Sequence, residues 1–367
     1  MIKTVSASPH ITNPRNTTRR IMIDVLIALF PCFVAATVFY GYHVVINLFT
    51  CLVFCFGTEL LYGLIISKKF SREGVKESSV WDLSFAVTAT ILALNLPAVM
   101  TVDGWGVNAL NADGAIAFSF DSVVLCALGS IFAVALVKML FGGLGKNFAN
   151  PACTGRVFLL IAFGTAFSST ASLFADELAT TGATWLGTRN NVTGSMLLDM
   201  FLGNTATSAV GETCVIAILC GYVYLSVRKV IDFRVPLMII GSLAVFIFLF
   251  DVVPGTSGAD MFYSLVAHVM SGGLLFGAVF MATDYATSPN TFLGSAIYAV
   301  GIGLITALIR AFGKYPEGFS FALLIMNLVV PLIDKYILPR PFGYVKPVKQ
   351  SKAKASNGQK EKEGEKA

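Results

Sequence analysis

Ten stretches of mostly apolar residues recur along the chain, at 21–41, 43–66, 82–100, 121–140, 152–168, 212–227, 235–253, 260–281, 292–311 and 319–337. About 20 such residues, wound as a helix, cross the hydrocarbon layer of a bilayer. Lipid offers no partners to backbone N–H and C=O groups, so the spanning segments must be helical. The expected fold is therefore an all-α integral membrane protein with about ten transmembrane helices. Composition agrees. The 367 residues are 56% apolar and 13% charged, with a mean hydropathy of +0.76. Soluble domains carry about 25% charge. An ordinary soluble enzyme, a disordered chain and a disulfide scaffold are excluded. The net charge of +5 does not point to nucleic acid, because the basic residues sit at the ends and in short connections.

Those basic residues predict orientation. With the N-terminus placed in the cytoplasm, 22 Lys and Arg fall on that side and 3 (Arg189, Arg310, Lys314) on the other, with Arg156 unassigned. The inside count includes Lys138 and Lys146, as charges around the connection after the fourth stretch. Both termini are expected inside, which an even number of spans allows. Residues 1–20 are polar and basic with no short apolar core before a cleavage site, so no signal peptide is expected.

The chain divides into a cytoplasmic segment 1–20, a first five-span half 21–168, an extracytoplasmic loop 169–211, a second five-span half 212–337 and a basic tail 338–367. Within that tail, 346–367 holds seven Lys and three Glu and is expected to be disordered. The connections 101–120 and 169–211 are long and polar, a property associated with functional loops. Phe141-Gly142-Gly143-Leu144-Gly145-Lys146-Asn147-Phe148 and Phe312-Gly313-Lys314-Tyr315-Pro316-Glu317-Gly318-Phe319 occupy corresponding places in the two halves. Five spans per half would put the halves in opposite orientation, the inverted-repeat plan of many transporters.

Helix breakers mark interruptions: Pro97 ends the third stretch, Pro151 opens the fifth, Pro331 interrupts the tenth, and Gly272, Gly273 and Gly277 crowd the eighth. The loop from Gly142 to Asn147 lacks the Ser or Thr of a phosphate-binding loop and no strand precedes it, so it is expected to be a turn lining a cavity. Seven cysteines lack metal-ligand spacing and are expected as small core residues; a cluster shared with another chain stays open as the alternative. Carboxylates within membranes mark functional sites. Glu59 lies deep in the second stretch, with ion handling and a structural hydrogen bond as equal readings. Asp24 lies near a span end, and Asp82, Asp121, Asp251, Asp260 and Asp284 sit at predicted ends, where hydrated caps are the simpler expectation. Asp24 and Asp284 join Glu59 as residues of a possible ion path. No metal site is expected, and His43 and His268 are expected to be structural. In the outer loop, Thr181-Gly182-Ala183-Thr184 presents a hydroxyl to a modifying enzyme.

Across residues 8–340 the sequence resembles the D subunit of the Rnf complex, an ion-translocating ferredoxin:NAD oxidoreductase. It is also similar, more distantly, to the B subunit of the sodium-pumping NADH:quinone reductase. The resemblance is carried by Ser8-Pro9-His10-Ile11, the run from Ile21 to Leu29, Asp82-Leu83-Ser84 through Pro97, and Phe141 to Pro151-Ala152. Gly203-Asn204-Thr205, Phe280-Met281-Ala282-Thr283-Asp284-Tyr285 to Pro289, and Tyr315-Pro316-Glu317-Gly318-Phe319-Ser320-Phe321-Ala322 extend it. It implies FMN bound as a phosphoester to Thr184, with Thr181, Gly182 and Ala183 forming the motif, installed by a flavin transferase. The sequence departs from the family pattern at Leu178, where many members have Asp; here the nearest acids are Asp176 and Glu177. The resemblance also implies a noncovalent flavin, riboflavin in related proteins, whose residues the sequence does not assign.

The resemblance further implies a flavoprotein subunit of the cell (inner) membrane. It would act as part of a translocase with the A, B, C, E and G subunits of the Rnf complex, relaying electrons while Na+ or H+ is exported. The sequence shows no dinucleotide fingerprint or iron–sulfur motif, so catalysis by the chain alone is not expected. Negative charge on a reduced flavin would raise the affinity of a nearby cation site, and that coupling is reciprocal. The rivals are a secondary transporter or channel without redox chemistry and a structural membrane anchor.

Overall fold

The computed structural model describes residues 17–67, 79–102, 119–167, 186, 193–203, 209–250, 258–313 and 318–338. Outside them lie the Thr181 to Thr184 motif, 176–178, 204–205, 251, 315–317, most of 101–120, the N-terminal match at 8–11 and the tail beyond 338.

The described residues form helices and no strands. In chain order they are α1 (Thr18–Tyr40), α2 (Tyr42–Ser67), α3 (Ser84–Leu94) and α4 (Phe120–Ile131), which continues as a π-helical stretch over Phe132–Met139. Then come α5 (Pro151–Ala162), α6 (Gly194–Leu202), α7 (Val215–Val227), α8 (Arg234–Phe250), α9 (Gly258–Met270) and α10 (Leu274–Phe280). Two long helices, α11 (Phe292–Phe312) and α12 (Phe319–Tyr336), follow. Each of the ten apolar stretches holds a helix. Five segments (α1, α2, α4 with its π-helical continuation, α11 and α12) are long and apolar enough to cross a membrane alone. The pair α9–α10, bent by 46°, makes a sixth, while α3, α5, α7 and α8 are shorter apolar helices. The protein is thus an all-α, multi-pass membrane chain.

The inner face of α1 shows how the core is chosen. Ile21, Asp24, Ala28, Leu29, Cys32, Ala36 and Tyr40 are buried at helical spacing, whereas Ile27, Phe30, Val34 and Val38 are exposed. Both faces are mainly apolar, so hydrophobicity does not decide which one faces inward. Small residues do, because they let backbones approach. The same holds where α11 meets α8. A Cβ on Gly303 would collide with Ser242 Oγ and sit 2.8 Å from Leu243 N, so only glycine permits that approach.

The third stretch stops as a helix at Leu94, and residues 95–100 continue as buried, non-helical backbone. Their polar groups find protein partners. Asn47 Nδ2 donates to the Pro97 and Ala98 carbonyls at 3.1 and 2.9 Å, and Val210 N donates to Leu96 O at 3.2 Å. Ser119 Oγ donates to Met100 O at 2.8 Å, and Asp121 Oδ2 accepts from Val102 N at 3.1 Å. Asp121 is therefore a buried acceptor for loop backbone, not the hydrated cap expected. Irregular backbone at this depth is tolerated only where such partners exist.

The eighth stretch breaks as its glycines predict. Gly272 and Gly273 have φ of +68° and +72°, and Gly273 is the N-cap of α10. Gly277 serves packing, since a Cβ there would run into the Phe319 ring. Pro151 opens α5 with Asn150 as its cap, whose side chain accepts from Cys153 N at 3.1 Å. Pro331, in contrast, does not interrupt the tenth stretch: α12 runs through it. A proline removes one backbone donor, and the remaining turns of an apolar helix hold. The expected loop 169–211 also contains a helix, α6, because Met196-Leu197-Leu198 and Met200-Phe201-Leu202 supply an apolar face, ended by Gly203 in the left-handed region. All seven cysteines are free thiols.

Candidate functional site

At the end of the bundle where α1 begins, a cavity of about 730 Å³, counting its open mouth, lies between α1, α3, α5 and the turns at 141–150 and 281–285. The Gly-rich turn after the fourth stretch lines this cavity through Leu144 and Asn147, as the sequence predicts.

Two helices start at the cavity wall. Ser84 is the first residue of α3, and Asn150 and Pro151 begin α5. Helix N-termini carry partial positive charge and unpaired N–H groups, which favour an electron-rich ligand. Lys138 lines the same wall, with its charge balanced by Glu59 behind it. The residue before α3, Leu83, has φ of +62°, a left-handed conformation costly for a side chain with Cβ. Such strain clusters at functional sites.

Behind the wall the charges are paired. Lys138 Nζ lies 2.5 Å from Glu59 Oε2 and donates to Ser84 Oγ at 2.7 Å, and Ser79 Oγ donates to Glu59 Oε1 at 2.7 Å. Glu59 and Lys138 are 0% and 1% exposed. Lys138 is thus a buried partner of Glu59 and not the loop charge counted from the sequence. The signal was available: a single ammonium inside an apolar stretch requires a carboxylate partner. Lys138 also sits in the π-helical stretch, a distortion frequent at functional sites.

Asp284 lines the same cavity from the connection between α10 and α11. It accepts from Ala286 N at 3.4 Å and from Thr287 Oγ1 at 3.3 Å. Burial pushes its carboxyl above the usual carboxylate value, partly offset by these bonds and by attraction to Lys138. Asp24 is buried near the same end. It accepts from the Tyr224 hydroxyl at 3.0 Å, and Arg228 Nη2 lies 3.1 Å from both of its oxygens, tying α1 to α7. The Tyr285 hydroxyl donates to the Val230 carbonyl, closing one edge of the cavity. Asp24 is thus buried and ion-paired, whereas Asp284 is a half-buried cap of its own turn. The structure groups Glu59, Lys138 and Asp284 around the cavity and pairs Asp24 separately.

At the opposite end, Arg310 fills the break between α9 and α10. It donates to the carbonyls of His268, Ser271 and Gly272 at 2.5, 2.9 and 3.2 Å. Arg156 Nη1 donates to Asn95 Oδ1 at 3.0 Å and lies 3.4 Å from Glu212 Oε1. The sequence links neither arginine to a partner, since those partners come from distant segments. Leu186, two residues beyond Thr184, is buried against Met200 and Ala267, and a Cβ on Gly272 would meet it at 2.5 Å. Among the described residues, no three His, Cys, Asp or Glu side chains cluster to hold a metal ion.

The chain is 36% identical over 353 residues to the D subunit of the Na(+)-translocating ferredoxin:NAD(+) oxidoreductase complex of Acetobacterium woodii, covering 95% of this chain and 98% of that relative. It is 33% identical over 354 residues to the D subunit of the proton-translocating ferredoxin:NAD(+) oxidoreductase complex of Clostridium ljungdahlii, covering 93% and 96%. Identity to the D subunit of the ion-translocating oxidoreductase complex of Haemophilus influenzae is 30% over 386 residues, covering 94% and 98%. A family model described as the NQR2, RnfD, RnfE family matches residues 4–110 and 119–343. Matched along nearly its whole length, the chain belongs to the NQR2, RnfD, RnfE family.

Proposed function

We propose that this chain is the membrane-embedded D subunit of an Rnf-type complex, relaying electrons between other subunits while the complex moves Na+ or H+ out of the cell. The observation that carries the proposal is the near full-length relationship to subunits of that name. The chain works as one part of an oxidoreductase, with the A, B, C, E and G subunits of the Rnf complex as its partners. It lies in the cell membrane with both termini in the cytoplasm, an orientation supported by the excess of Lys and Arg at that side. The cavity end is then cytoplasmic.

FMN is carried on Thr184, attached by a flavin transferase within the motif Thr181-Gly182-Ala183-Thr184. Leu186, two residues beyond Thr184, is itself buried beside Gly272, which supports this end of the protein as the one that carries the motif. Bound there, the flavin supplies one- and two-electron chemistry. Lys138, Ser84, Asn147 and Asn150 are the groups that would hold a second, noncovalent flavin in the cavity. Their fit rests on the two helix N-termini that begin at its wall. Glu59, Asp24 and Asp284 remain the carboxylates of the proposed ion path.

The two halves are arranged as inverted repeats. Each has a short helix entered through a left-handed residue, Leu83 before α3 and Gly273 before α10. Each has a buried cation from the helix that follows, Lys138 bonded to Ser84 and Arg310 bonded to Gly272 O. The test of function is a denaturing gel of the purified chain under ultraviolet light. A fluorescent band that disappears in Thr184→Ala supports the proposal. A dark wild-type band favours a transporter or channel without redox chemistry.

A further inference from the structure

A second cavity, of about 620 Å³ counting its open mouth, lies at the same end of the bundle as the first, with Ile231, Thr283 and Tyr285 lining both. Its walls are the α7–α8 connection, the segment 282–291 and the start of α11. Both sides are held in place. Tyr222 Oη donates to the Phe233 carbonyl at 2.7 Å, and Tyr285 Oη donates to that of Val230. Across the cavity, Asn290 N and Nδ2 donate to the two carboxylate oxygens of Asp334 at 3.1 and 2.8 Å.

Two opposite charges belong to this cavity. Asp232 lines it, together with Ser288, Thr291 and Ser295. Arg234 stands at the rim. Its guanidinium carbon lies 5.6 Å from the centroid of the Phe233 ring and 5.3 Å from that of Phe292, which itself lines the cavity. Stacking on aromatic faces holds a guanidinium while its N–H edge stays free to donate. Asp232 Oδ1 accepts from the backbone Arg234 N at 3.0 Å, which fixes the carboxylate beside the start of α8. Among the described residues neither charge has an ion-pair partner.

A free guanidinium edge takes a phosphate through paired N–H donors. A carboxylate beside hydroxyls takes a primary ammonium, which has three donors and no acceptor. The two charges cancel, so a zwitterion carrying both groups matches them. An anionic headgroup would set its charge against Asp232, and a quaternary ammonium has no proton to donate. The surroundings favour a lipid as the source. Leu237 on α8 and Leu293 and Ile297 on α11 are exposed apolar side chains within two turns of Arg234 and Phe292, where acyl chains would follow a headgroup.

We infer that this cavity and its rim bind a lipid of the phosphatidylethanolamine class, with the phosphodiester on Arg234 and the primary ammonium on Asp232. Such a lipid needs only the multi-pass membrane fold; a chain without FMN on Thr184 would overturn the functional reading and leave the site standing.

The experiment uses the full-length chain purified in detergent, with dioctanoyl phosphatidylethanolamine, phosphatidylcholine or phosphatidylglycerol added at equal concentration. Melting is followed at neutral pH, and native mass spectrometry counts retained lipid. A ligand that binds the folded chain raises its melting temperature. Phosphatidylethanolamine should raise it and leave one lipid on each chain, and the other two should do neither. Arg234→Gln should lose the shift. Asp232→Asn, which keeps an acceptor for the α8 amide, should lose the preference for ethanolamine and gain a shift with phosphatidylglycerol. Equal shifts with all three lipids, no shift and no retained lipid with any, or an ethanolamine shift that survives in Arg234→Gln would each overturn the inference. So would free phosphoethanolamine acting as strongly as the lipid, which would make the cavity a site for a soluble phosphate ester.

Discussion

Arg310 Nη2 lies 3.2 Å from the Gly272 carbonyl oxygen, and with Nη1 on His268 O this guanidinium closes the C-terminal end of α9 where the span breaks. The last carbonyls of a helix have no partners within it, so a buried cation there satisfies them and interacts well with the dipole. Replacing Arg310 with Met strips three carbonyls of a charged donor. The expected cost is about 3 kcal/mol or more, since bonds to charged groups contribute roughly 1.5–3 kcal/mol each. Arg310→Lys should retain part of the stability. Melting temperatures in detergent check both.

Gly272→Ala tests the same break from the backbone side. The position has φ of +68°, and the new Cβ would meet Leu186 Cδ1 at 2.5 Å and Arg310 Nη2 at 2.7 Å. The left-handed conformation alone costs about 1–2 kcal/mol for a residue with Cβ. Melting should fall, and protease cleavage between 180 and 192 should accelerate because the anchor of Leu186 is displaced. Unchanged cleavage with lowered melting would disconnect the loop from the break.

The α8–α11 seam depends on one glycine. Gly303→Ala would drive a methyl into Ser242 Oγ and the Leu243 amide, and backbone cannot yield as a flexible side chain can. Overpacking of this kind costs about 1–3 kcal/mol. The variant should melt lower, and Ser242→Ala should recover part of the loss by removing the hydroxyl that stands in the way.

Asp284 gives a pH dependence with a definite sign. Its carboxyl is raised above 3.8, burial being the largest cause. A carboxyl that holds its proton more tightly when folded favours the folded chain below its unfolded pKa. That contribution is lost as pH rises through the raised value. Asp284→Asn has no such dependence, so it should melt higher than wild type near neutrality, by a margin that narrows as the solution is acidified toward the ordinary carboxylate range. A margin independent of pH would show that the carboxyl ionises normally.

Much of this architecture is legible from local chemistry. Apolar stretches locate the helices, Pro97 and Gly272-Gly273 locate the breaks, and Gly142 to Gly145 locate the turn under the cavity. Three features are not. Pro331 reads as an interruption, but a helix otherwise well bonded runs through it. Lys138 reads as a surface charge because orientation counting treats each cation near a span end alike, and its partner lies 79 residues away. Arg156 and Glu212, 56 residues apart, meet only once α5 and the turn before α7 pack together. Long-range charge pairing leaves no periodic trace in a sequence, although an ionisable residue inside an apolar stretch announces that a partner exists.

The proposed electron-carrying role depends on Thr184 bearing FMN. Intact mass of the natively produced chain, followed by peptide mapping across 178–189, tests it most directly. The account predicts an added FMN mass confined to the peptide containing Thr184 and absent from Thr184→Ala. A bare threonine in a chain whose assembled complex still transfers electrons from ferredoxin to NAD would contradict it.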